Sequence, residues 1–221
     1  MNIFCIVGKS GSGKSFYFDQ IIKDSDFIHS TNLKPLVYGT TREPRENECD
    51  GVDYFFFTDE KFDKIPKENI IECRTYKLAN GKCVKYFTKE NYFVGKENII
   101  CAVSPYQFDS YVKWANKKNE EGQDVHIYLI YIDADIKTRV ERSLSRCTTE
   151  DDVLETCRRT LEEGKEFLTA SKDVFFMVLS SESNEYHDCS VECIKIDNTS
   201  KDDTTENIRL LKNFITDRIW K

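Results

Sequence analysis

The stretch Ile3-Phe4-Cys5-Ile6-Val7-Gly8-Lys9-Ser10-Gly11-Ser12-Gly13-Lys14-Ser15 decides the fold of this 221-residue chain. Its first five residues are apolar and predict a buried strand, and the residues after Ser15 have helical character. Between the two, the pattern G-x-x-x-x-G-K-S is typical of a loop that holds phosphate, because glycines let backbone N–H groups turn inward and the helix N-terminus adds partial positive charge. The stretch therefore predicts an α/β domain that binds a nucleoside triphosphate.

The residues of this phosphate loop, defined as residues 8–15, have distinct expected roles. Lys14 brings a full positive charge to the phosphate oxygens, and the Ser15 hydroxyl is the expected protein ligand of Mg²⁺. The other expected contacts of the loop are Gly8, Ser10, Gly11, Ser12 and Gly13. We therefore expect Mg²⁺ as a cofactor.

Composition limits the partners of the chain. Its formal net charge is −7 and its pI is about 5.2, so it lacks an overall positive field for a nucleic acid polymer. Its nine cysteines are scattered along the chain, which is typical of reduced thiols in a cytoplasmic protein. No apolar run approaches the ~20 residues that span a bilayer, and no charged leader precedes the first strand. We expect a soluble, cytoplasmic protein that does not bind membranes.

Three further apolar runs predict strands: Ile99–Val103 and Val125–Ile132, which read as parallel strands buried on both faces, and Cys193–Ile196. A helix is expected between the first two runs, over 105–118. Asp203-x-x-Glu206 is similar to a capping box and predicts the start of a C-terminal helix. The resulting β-α-β succession predicts a core with a parallel sheet.

The region from residue 35 to residue 98 differs from the rest of the chain in composition, because it is rich in Tyr, Phe, Thr and charged residues. Asn80-Gly81 lies between two strand-like runs and predicts a hairpin. The region therefore predicts an antiparallel insertion between core strands.

Within this insertion, Arg42 and Arg45 flank Pro44, which stiffens the chain. Paired guanidiniums can grip one phosphate through bidentate hydrogen bonds, and the Tyr54 hydroxyl can add a third donor. A triphosphate site and a separate monophosphate site predict phosphoryl transfer between nucleotides.

A second basic cluster follows Ile132. Arg139, Arg142 and Arg146 recur at three- and four-residue spacing, which predicts one face of a helix. The acidic residues between them leave a salt-bridged surface helix as one interpretation. The other is a lid, a segment that closes over the phosphates, because phosphoryl transfer depends on positioning and on positive charge.

Together these residues resemble the guanylate kinase family of P-loop nucleoside monophosphate kinases. The most specific elements are the phosphate loop and Thr40-Thr41-Arg42-x-Pro44-Arg45, followed by Gly51-Val52-Asp53-Tyr54-Phe55-Phe56. The resemblance implies a three-layer P-loop NTPase fold with a parallel sheet core, an inserted antiparallel monophosphate-binding region and a helical lid. It implies one domain, with the core in 1–34, 99–141 and 160–221, the monophosphate-binding region in 35–98 and the lid in 142–159.

The resemblance also implies roles at the acceptor. Arg42, Arg45 and Tyr54 would hold its phosphate, with Tyr86 as a further contact. Glu72 would accept hydrogen bonds from the N1 and N2 edge of guanine, and Thr88 would contact the base.

At the donor, the resemblance implies ATP, with Asn198 near its adenine. In the lid, Arg142 and Arg146 match family arginines, and the next one falls at Arg158 or Arg159, of which we assign Arg159. The expected catalytic residues are Lys14, Arg42, Arg142, Arg146 and Arg159.

Some positions depart from the family pattern. The strand that carries two carboxylates in the family reads Cys101-Ala102-Val103-Ser104 here. Tyr38-Gly39 replaces small hydroxyl residues, and Phe87 replaces a glycine between Tyr86 and Thr88. The sequence thus keeps the phosphate contacts and alters the positions that read the base.

The expected activity is ATP-dependent phosphorylation of a nucleoside monophosphate, with GMP or dGMP as the first acceptor. A kinase of the same architecture that acts on another nucleotide or small phosphate is the near alternative. A non-catalytic interaction module of the same family is a third, which the intact phosphate loop disfavours. The oligomeric state, monomer or homodimer, stays open.

Overall fold

The computed structural model describes residues 1–77, 81–170, 185–188, 191–200 and 202–220. Contacts within the chain group it into two compact units, one formed by residues 1–34 and 97–221 and the other by residues 35–96. In chain order the strands and helices are β1 (Asn2–Val7), α1 (Lys14–Ile22), α2 (Ser25–Thr31), β2 (Leu33–Pro35), β3 (Tyr38–Thr40), β4 (Tyr54–Phe56), α3 (Asp59–Asp63), β5 (Ile70–Lys77), β6 (Cys83–Lys89), β7 (Asn98–Ala102), α4 (Pro105–Glu120), β8 (His126–Asp133), α5 (Ile136–Leu144), α6 (Glu150–Ala170), β9 (Glu185–Asp188), β10 (Val191–Asp197) and α7 (Thr204–Ile219).

The first unit is built on a six-stranded sheet in the order β2-β7-β1-β8-β10-β9. β1 pairs in parallel with β7 and β8, and β8 pairs in parallel with β10, whereas β9 runs antiparallel to β10. Ile3 to Val7 of β1 are fully buried, because a central strand of a parallel sheet is covered on both faces. The three predicted strands are confirmed, with ends displaced by one or two residues.

Helices cover both faces of this sheet. Phe4 and Ile6 pack with Tyr17 of α1 and Leu211 of α7 in one apolar cluster. Residues of the opposite parity point the other way, where α4 packs against β1 and β8. Helices, sheet and helices form the three layers of a P-loop NTPase fold. In the part of the chain that the structure describes, no helix combines the length and hydropathy that a membrane span requires.

The C-terminal helix begins differently from the prediction. Asp203 precedes α7, but its backbone is helical, with φ −84° and ψ −1°, and its side chain accepts no capping hydrogen bond. Glu206 instead binds Arg209, with 2.7 Å between Nε and Oε2. The predicted capping box is wrong, since the capping side chain reaches the first turn only from an extended backbone. A capping box forms at Ser104 and Gln107, at the start of α4.

The second unit contains a four-stranded sheet in the order β4-β3-β6-β5. β6 is antiparallel to both β3 and β5, as the predicted insertion requires. β4, however, pairs in parallel with β3, because the long segment between them returns the chain to the same end of the sheet. In the predicted hairpin Gly81 has a positive φ of 82°, whereas Asn80 lies outside the described residues.

Strand alternation separates the two faces of this second sheet. Phe87 is fully buried, and its ring lies 4.8 Å from that of Phe62 and 5.2 Å from that of Phe57. Its neighbours Tyr86 and Thr88 point to the opposite face. A Cβ at Gly39 would lie 2.4 Å from the Phe87 ring, so the glycine makes room for the phenylalanine. Gly39 and Phe87, which both depart from the family pattern, therefore lie against each other, and the small residue accommodates the large one.

Candidate active site

The phosphate loop connects β1 to α1 and is shaped by its last glycine. Gly13 precedes α1 with φ 105°, a conformation that residues with a side chain avoid. A Cβ there would also lie 2.4 Å from the Asn198 amide nitrogen. The loop thus needs glycine at this position both for its backbone angle and for the close approach of Asn198.

Lys14 and Ser15 occupy the first turn of α1. The half-buried Lys14 side chain bends back over the loop, where its Nζ donates to the carbonyl oxygen of Gly8 and, at 3.2 Å, to that of Lys9. Ser15 is exposed. The loop therefore carries a cation on the side that its N–H groups would offer to phosphate, and a hydroxyl at the helix start.

A buried polar network holds the backbone of the loop. Asn198 donates from Nδ2 to the Ser12 carbonyl at 2.7 Å and accepts from the Tyr17 hydroxyl at 3.0 Å. Asn207 donates to the same hydroxyl at 3.1 Å. Burial raises the pKa of Tyr17, while the Asn207 hydrogen bond and the positive charge of Arg142 act in the opposite direction. Asn198, predicted beside adenine, thus lies directly against the loop.

Two polar atoms near the loop are unpartnered among the described residues. The Ser12 hydroxyl and Nη1 of Arg142 are both buried without a hydrogen bond. Burying a guanidinium nitrogen without an acceptor is costly. An anion with several oxygens, such as a phosphate group, supplies the acceptors that these donors need.

The predicted basic helix face is only partly present. α5 contains Arg139 and Arg142, but it ends at Leu144, and the chain turns at Ser145, so Arg146 lies outside the helix and is exposed. The prediction of one face for all three arginines is therefore wrong for Arg146. Arg139 is buried and donates from Nε to the Ala134 carbonyl at 3.1 Å, so it has a structural contact within its own segment.

Two further lid candidates lie on α6. Arg158 makes two hydrogen bonds to Glu155, at 2.7 Å and 2.6 Å, on the exposed side of the helix. The side chain of Arg159 lies outside what the structure describes, so its assignment as the lid arginine stays a prediction.

A carboxylate of α6 binds the phosphate loop directly. Glu163 accepts a hydrogen bond at 2.6 Å from the backbone N–H of Ser10. One helical turn later, the Phe167 ring lies 5.5 Å from the Lys9 ammonium. The C-terminal half of α6 therefore contacts two consecutive residues of the loop.

In the second unit, Arg42 is the centre of an anion-binding cluster. Its Nη2 donates to both carboxylate oxygens of Glu48, at 2.8 Å and 2.9 Å, and its Nε donates to the Tyr86 hydroxyl at 3.1 Å. The backbone N–H of Arg45 donates to the same carboxylate at 2.8 Å, while its side chain is exposed. The Arg45 amide first, and then the Arg42 guanidinium, lower the pKa of Glu48. Both predicted arginines thus act on a single carboxylate.

Aromatic rings surround this cluster. The Arg42 guanidinium lies 5.4 Å from the Tyr54 ring and 5.9 Å from the Phe56 ring. Tyr54 and Tyr86 meet edge to face with their centroids 5.7 Å apart. Cation–π contact with these rings favours the observed direction of the guanidinium. The structure brings Arg42, Tyr54 and Tyr86 together as the sequence predicts.

The predicted base-reading pair is also assembled in this sheet. Glu72 and Thr88 are opposite each other in the β5–β6 register, and Thr88 donates to Glu72 Oε1 at 2.8 Å. Both residues are buried. Phe87 points to the other face of the sheet, so its ring takes no space beside Glu72 and Thr88.

The carboxyl end of β7 carries no acid. Ser104 stands there and caps α4, accepting from Gln107 N at 3.3 Å. At the end of β8, Asp133 lies 3.2 Å from the Lys195 ammonium. Among the described residues no three His, Cys, Asp or Glu side chains cluster as a metal site. The exposed Ser15 hydroxyl at the start of α1 is an oxygen donor of the kind that Mg²⁺ prefers, so this residue would suit a magnesium ion.

Sequence reasoning missed four residues of these sites. Glu48 follows the predicted arginines closely and could have been proposed as their acidic partner. Glu163 contacts the loop from α6, and Tyr17 and Asn207 support it through Asn198, with 190 residues between Asn207 and Tyr17. These contacts come from tertiary packing, so no local pattern signals them.

Comparisons with known proteins identify the family of the chain. The family model described as Guanylate kinase matches residues 1–185. The guanylate kinase of Malacoplasma penetrans is 42% identical over 81 residues, which cover 36% of this chain and 38% of the relative. That of Halalkalibacterium halodurans is 37% identical over 101 residues, covering 44% and 46%. The chain thus spans less than half the length of these curated relatives in the aligned parts.

A solved structure supports the fold. Guanylate kinase from Anaplasma phagocytophilum matches with a TM-score of 0.52 at 13% identity, over 100% of this chain and 87% of that one. At this identity the likeness concerns the fold alone. Because the family model covers more than half of the residues, this chain belongs to the guanylate kinase family.

Proposed function

We propose that this protein transfers the terminal phosphoryl group of ATP to a nucleoside monophosphate, with GMP or dGMP as acceptor. The observation that carries the proposal is the Arg42 cluster, in which a guanidinium, held between aromatic rings, binds both oxygens of a carboxylate. A phosphate monoester offers oxygens that accept the same charge-assisted hydrogen bonds from a guanidinium. With the phosphate loop in the same chain, it provides one site for each substrate of a phosphoryl transfer.

At the donor, the loop amides and Lys14 bind the β- and γ-phosphates, and Ser15 binds Mg²⁺ that enters with ATP. The metal neutralises phosphate charge when bound. Arg142 supplies its buried Nη1 to phosphate oxygens. Asn198 holds the loop backbone in place beside the nucleotide, because it donates a hydrogen bond to the Ser12 carbonyl.

At the acceptor, Arg42, Arg45, Tyr54 and Tyr86 hold the phosphate. Glu72 accepts hydrogen bonds from the N1 and N2 groups of guanine. Thr88 orients its carboxylate by donating a hydrogen bond to Oε1. No general base is required, because the acceptor phosphate is already an anionic nucleophile at neutral pH.

We assign the lid to residues 142–159 and the monophosphate-binding region to residues 35–98. The core of the single domain comprises residues 1–34, 99–141 and 160–221. Arg142, Arg146 and Arg159 neutralise the phosphoryl group in transfer, and closure excludes water that would hydrolyse ATP. The protein acts in the cytoplasm on nucleotides, as a monomer or homodimer.

One observation keeps a second acceptor in view. Ser104 caps a helix where the family has a carboxylate, so one base contact of the family is absent from that position. A kinase for another deoxynucleotide would share every phosphate contact named above.

The test is steady-state kinetics with Mg-ATP and a panel of ribo- and deoxynucleoside monophosphates, following ADP and diphosphate formation. Turnover of GMP or dGMP at the highest kcat/KM supports the proposal. Preference for another base supports the second acceptor. Absence of turnover across the panel, together with absence of ATP binding, would indicate a non-catalytic module.

A further inference from the structure

The contact between Glu163 and the phosphate loop is unusual for a loop that must receive anions. The Ser10 N–H, one of the predicted phosphate donors, is occupied by Glu163 Oε2 at 2.6 Å. A carboxylate oxygen and a phosphate oxygen make the same kind of charge-assisted hydrogen bond to an amide. Glu163 therefore holds a donor that the nucleotide also needs.

The position of Glu163 is fixed by the packing of its helix. Phe167, four residues later and on the same helical face, is buried. Its ring lies 6.4 Å from that of Tyr131 in β8 and 5.5 Å from the Lys9 ammonium. The packing of α6 therefore holds the half-buried Glu163 side chain beside the loop.

Electrostatics add to this competition. A polyphosphate carries several negative charges, and a carboxylate within hydrogen-bond reach of the same amide repels it in a partly buried site, where solvent screens weakly. Binding of the nucleotide therefore requires Glu163 to leave the Ser10 amide. The free energy of the Ser10–Glu163 contact is subtracted from the free energy of nucleotide binding.

We propose that Glu163 is an affinity-setting residue of the donor site, a carboxylate that competes with the nucleotide phosphates for the phosphate loop. The inference rests on the proposed function for the identity of the ligand, ATP or its product ADP. Its consequence is weaker binding of both nucleotides and faster release of ADP. If the contact is formed in about nine of ten unliganded molecules, the apparent dissociation constant rises about tenfold.

The experiment compares wild type with Glu163→Gln and Glu163→Ala in the full chain. Glu163→Gln keeps the size of the side chain and removes its charge, and Glu163→Ala removes the contact while favouring helix. Glu206→Gln is the matched control, because it removes one negative charge from α7, outside the proposed lid, at a residue whose partner is the exposed Arg209. Thermal unfolding verifies that each variant is folded.

Dissociation constants for Mg-ATP and Mg-ADP are measured by isothermal titration calorimetry. We expect Glu163→Gln and Glu163→Ala to bind both nucleotides about threefold to tenfold more tightly than wild type, which is the range if the Ser10–Glu163 contact is formed in about two thirds to about nine tenths of unliganded molecules. Glu206→Gln should stay within about twofold of wild type, since exposed pairs contribute little.

Unchanged or weaker binding in both Glu163 variants, with wild type binding ATP, would overturn this inference and leave the proposed function intact. A lower kcat with unchanged dissociation constants would overturn it as well, because Glu163 would then act in the transfer step. Failure of wild type and all variants to bind either nucleotide would overturn the proposed function itself, and the inference with it.

Discussion

At the scale of single residues, the proposed activity depends on how a guanidinium is held. Arg42 makes two hydrogen bonds to Glu48 and one to Tyr86, and it lies against the Tyr54 ring. Lysine has the same charge, but it lacks the planar fork that produces this set of contacts. Position and direction, rather than charge alone, therefore distinguish this side chain.

Arg42→Lys should raise KM for the acceptor while leaving KM for ATP unchanged. The loss corresponds to one bidentate charge-assisted contact, about 1.5–3 kcal/mol, or roughly tenfold to a hundredfold in kcat/KM for the acceptor. Steady-state kinetics with each substrate varied in turn check this. An equal effect on both substrates would show that Arg42 does not act at the acceptor alone.

Glu72→Gln should reduce discrimination between bases more than it reduces turnover. A glutamine amide has one carbonyl acceptor where the carboxylate has two oxygens, so it cannot accept from N1 and N2 of guanine equally well. The ratio of kcat/KM for GMP to that for AMP should fall by about tenfold or more, the effect of losing one good hydrogen bond to a charged group. An unchanged ratio would remove Glu72 from base recognition.

The sequence identifies these residues where a local motif contains them and misses them where packing brings them in. Lys14 and Arg42 stand in recognisable motifs, and the structure places both in polar clusters. Glu163 and Asn207 have no such motif, because their contacts with the loop and its supports arise from helices far along the chain.

At the scale of secondary structure elements, β6 presents different residues to its two faces. Tyr86 and Thr88 lie on the face that carries Arg42 and Glu72, and Phe87 between them packs on the opposite face with Phe57 and Phe62. Phe87 stands where the family has a glycine between the two binding residues. Its large ring does not crowd them, because side chains alternate along a strand and the ring lies on the opposite face.

Phe87→Ala should therefore act on stability. Deleting a fully buried ring costs about 3–5 kcal/mol, and denaturant unfolding should record that loss for a residue with 0% exposure. Base preference among the molecules that remain folded should be unchanged. A change in base preference without loss of stability would place Phe87 at the acceptor site.

The start of α2 is tied to α7 by a charge contact with a defined pH dependence. Lys212 donates to Asp24, which also caps α2 by accepting from Phe27 N at 3.0 Å. The Lys212 hydrogen bond, followed by the Phe27 amide, lowers the pKa of Asp24. A lowered pKa means that the stabilisation is present above the usual Asp range and is lost as pH falls through the folded-state value.

Asp24→Asn isolates this charge effect, because asparagine still caps a helix. The variant should melt a few degrees at most below wild type at neutral pH, as expected for one exposed pair. The two melting curves should converge when the pH falls well below the usual Asp range. A constant difference across the acid range would show that the carboxylate charge is not the cause.

Element boundaries show the limits of local reasoning. The apolar runs predict β1, β7, β8 and β10 because buried parallel strands have few polar residues. The predicted capping box at Asp203 fails because that residue takes a helical backbone. The predicted arginine face fails because α5 ends at Leu144. Both failures concern where a helix begins or ends, which nearby packing decides.

At the scale of the whole molecule, the proposal assigns two anion sites to one chain. The loop amides, Lys14 and the partly buried Arg142 would form one in the first unit, and Arg42 with its aromatic neighbours would form the other in the second unit. The thirteen residues from Ile3 to Ser15, with the later apolar runs, predict the fold class. The strand order β2-β7-β1-β8-β10-β9 could not be predicted, since only tertiary pairing sets it.

The most direct test of the central claim is transfer of label from γ-radiolabelled ATP to unlabelled GMP in the presence of Mg²⁺, with products separated by chromatography. Wild type is predicted to place the label on GDP, whereas Lys14→Ala and Arg42→Ala, each verified as folded, should leave it on ATP. Label that appears only as inorganic phosphate, or stays on ATP with wild type and every monophosphate tested, would contradict the account.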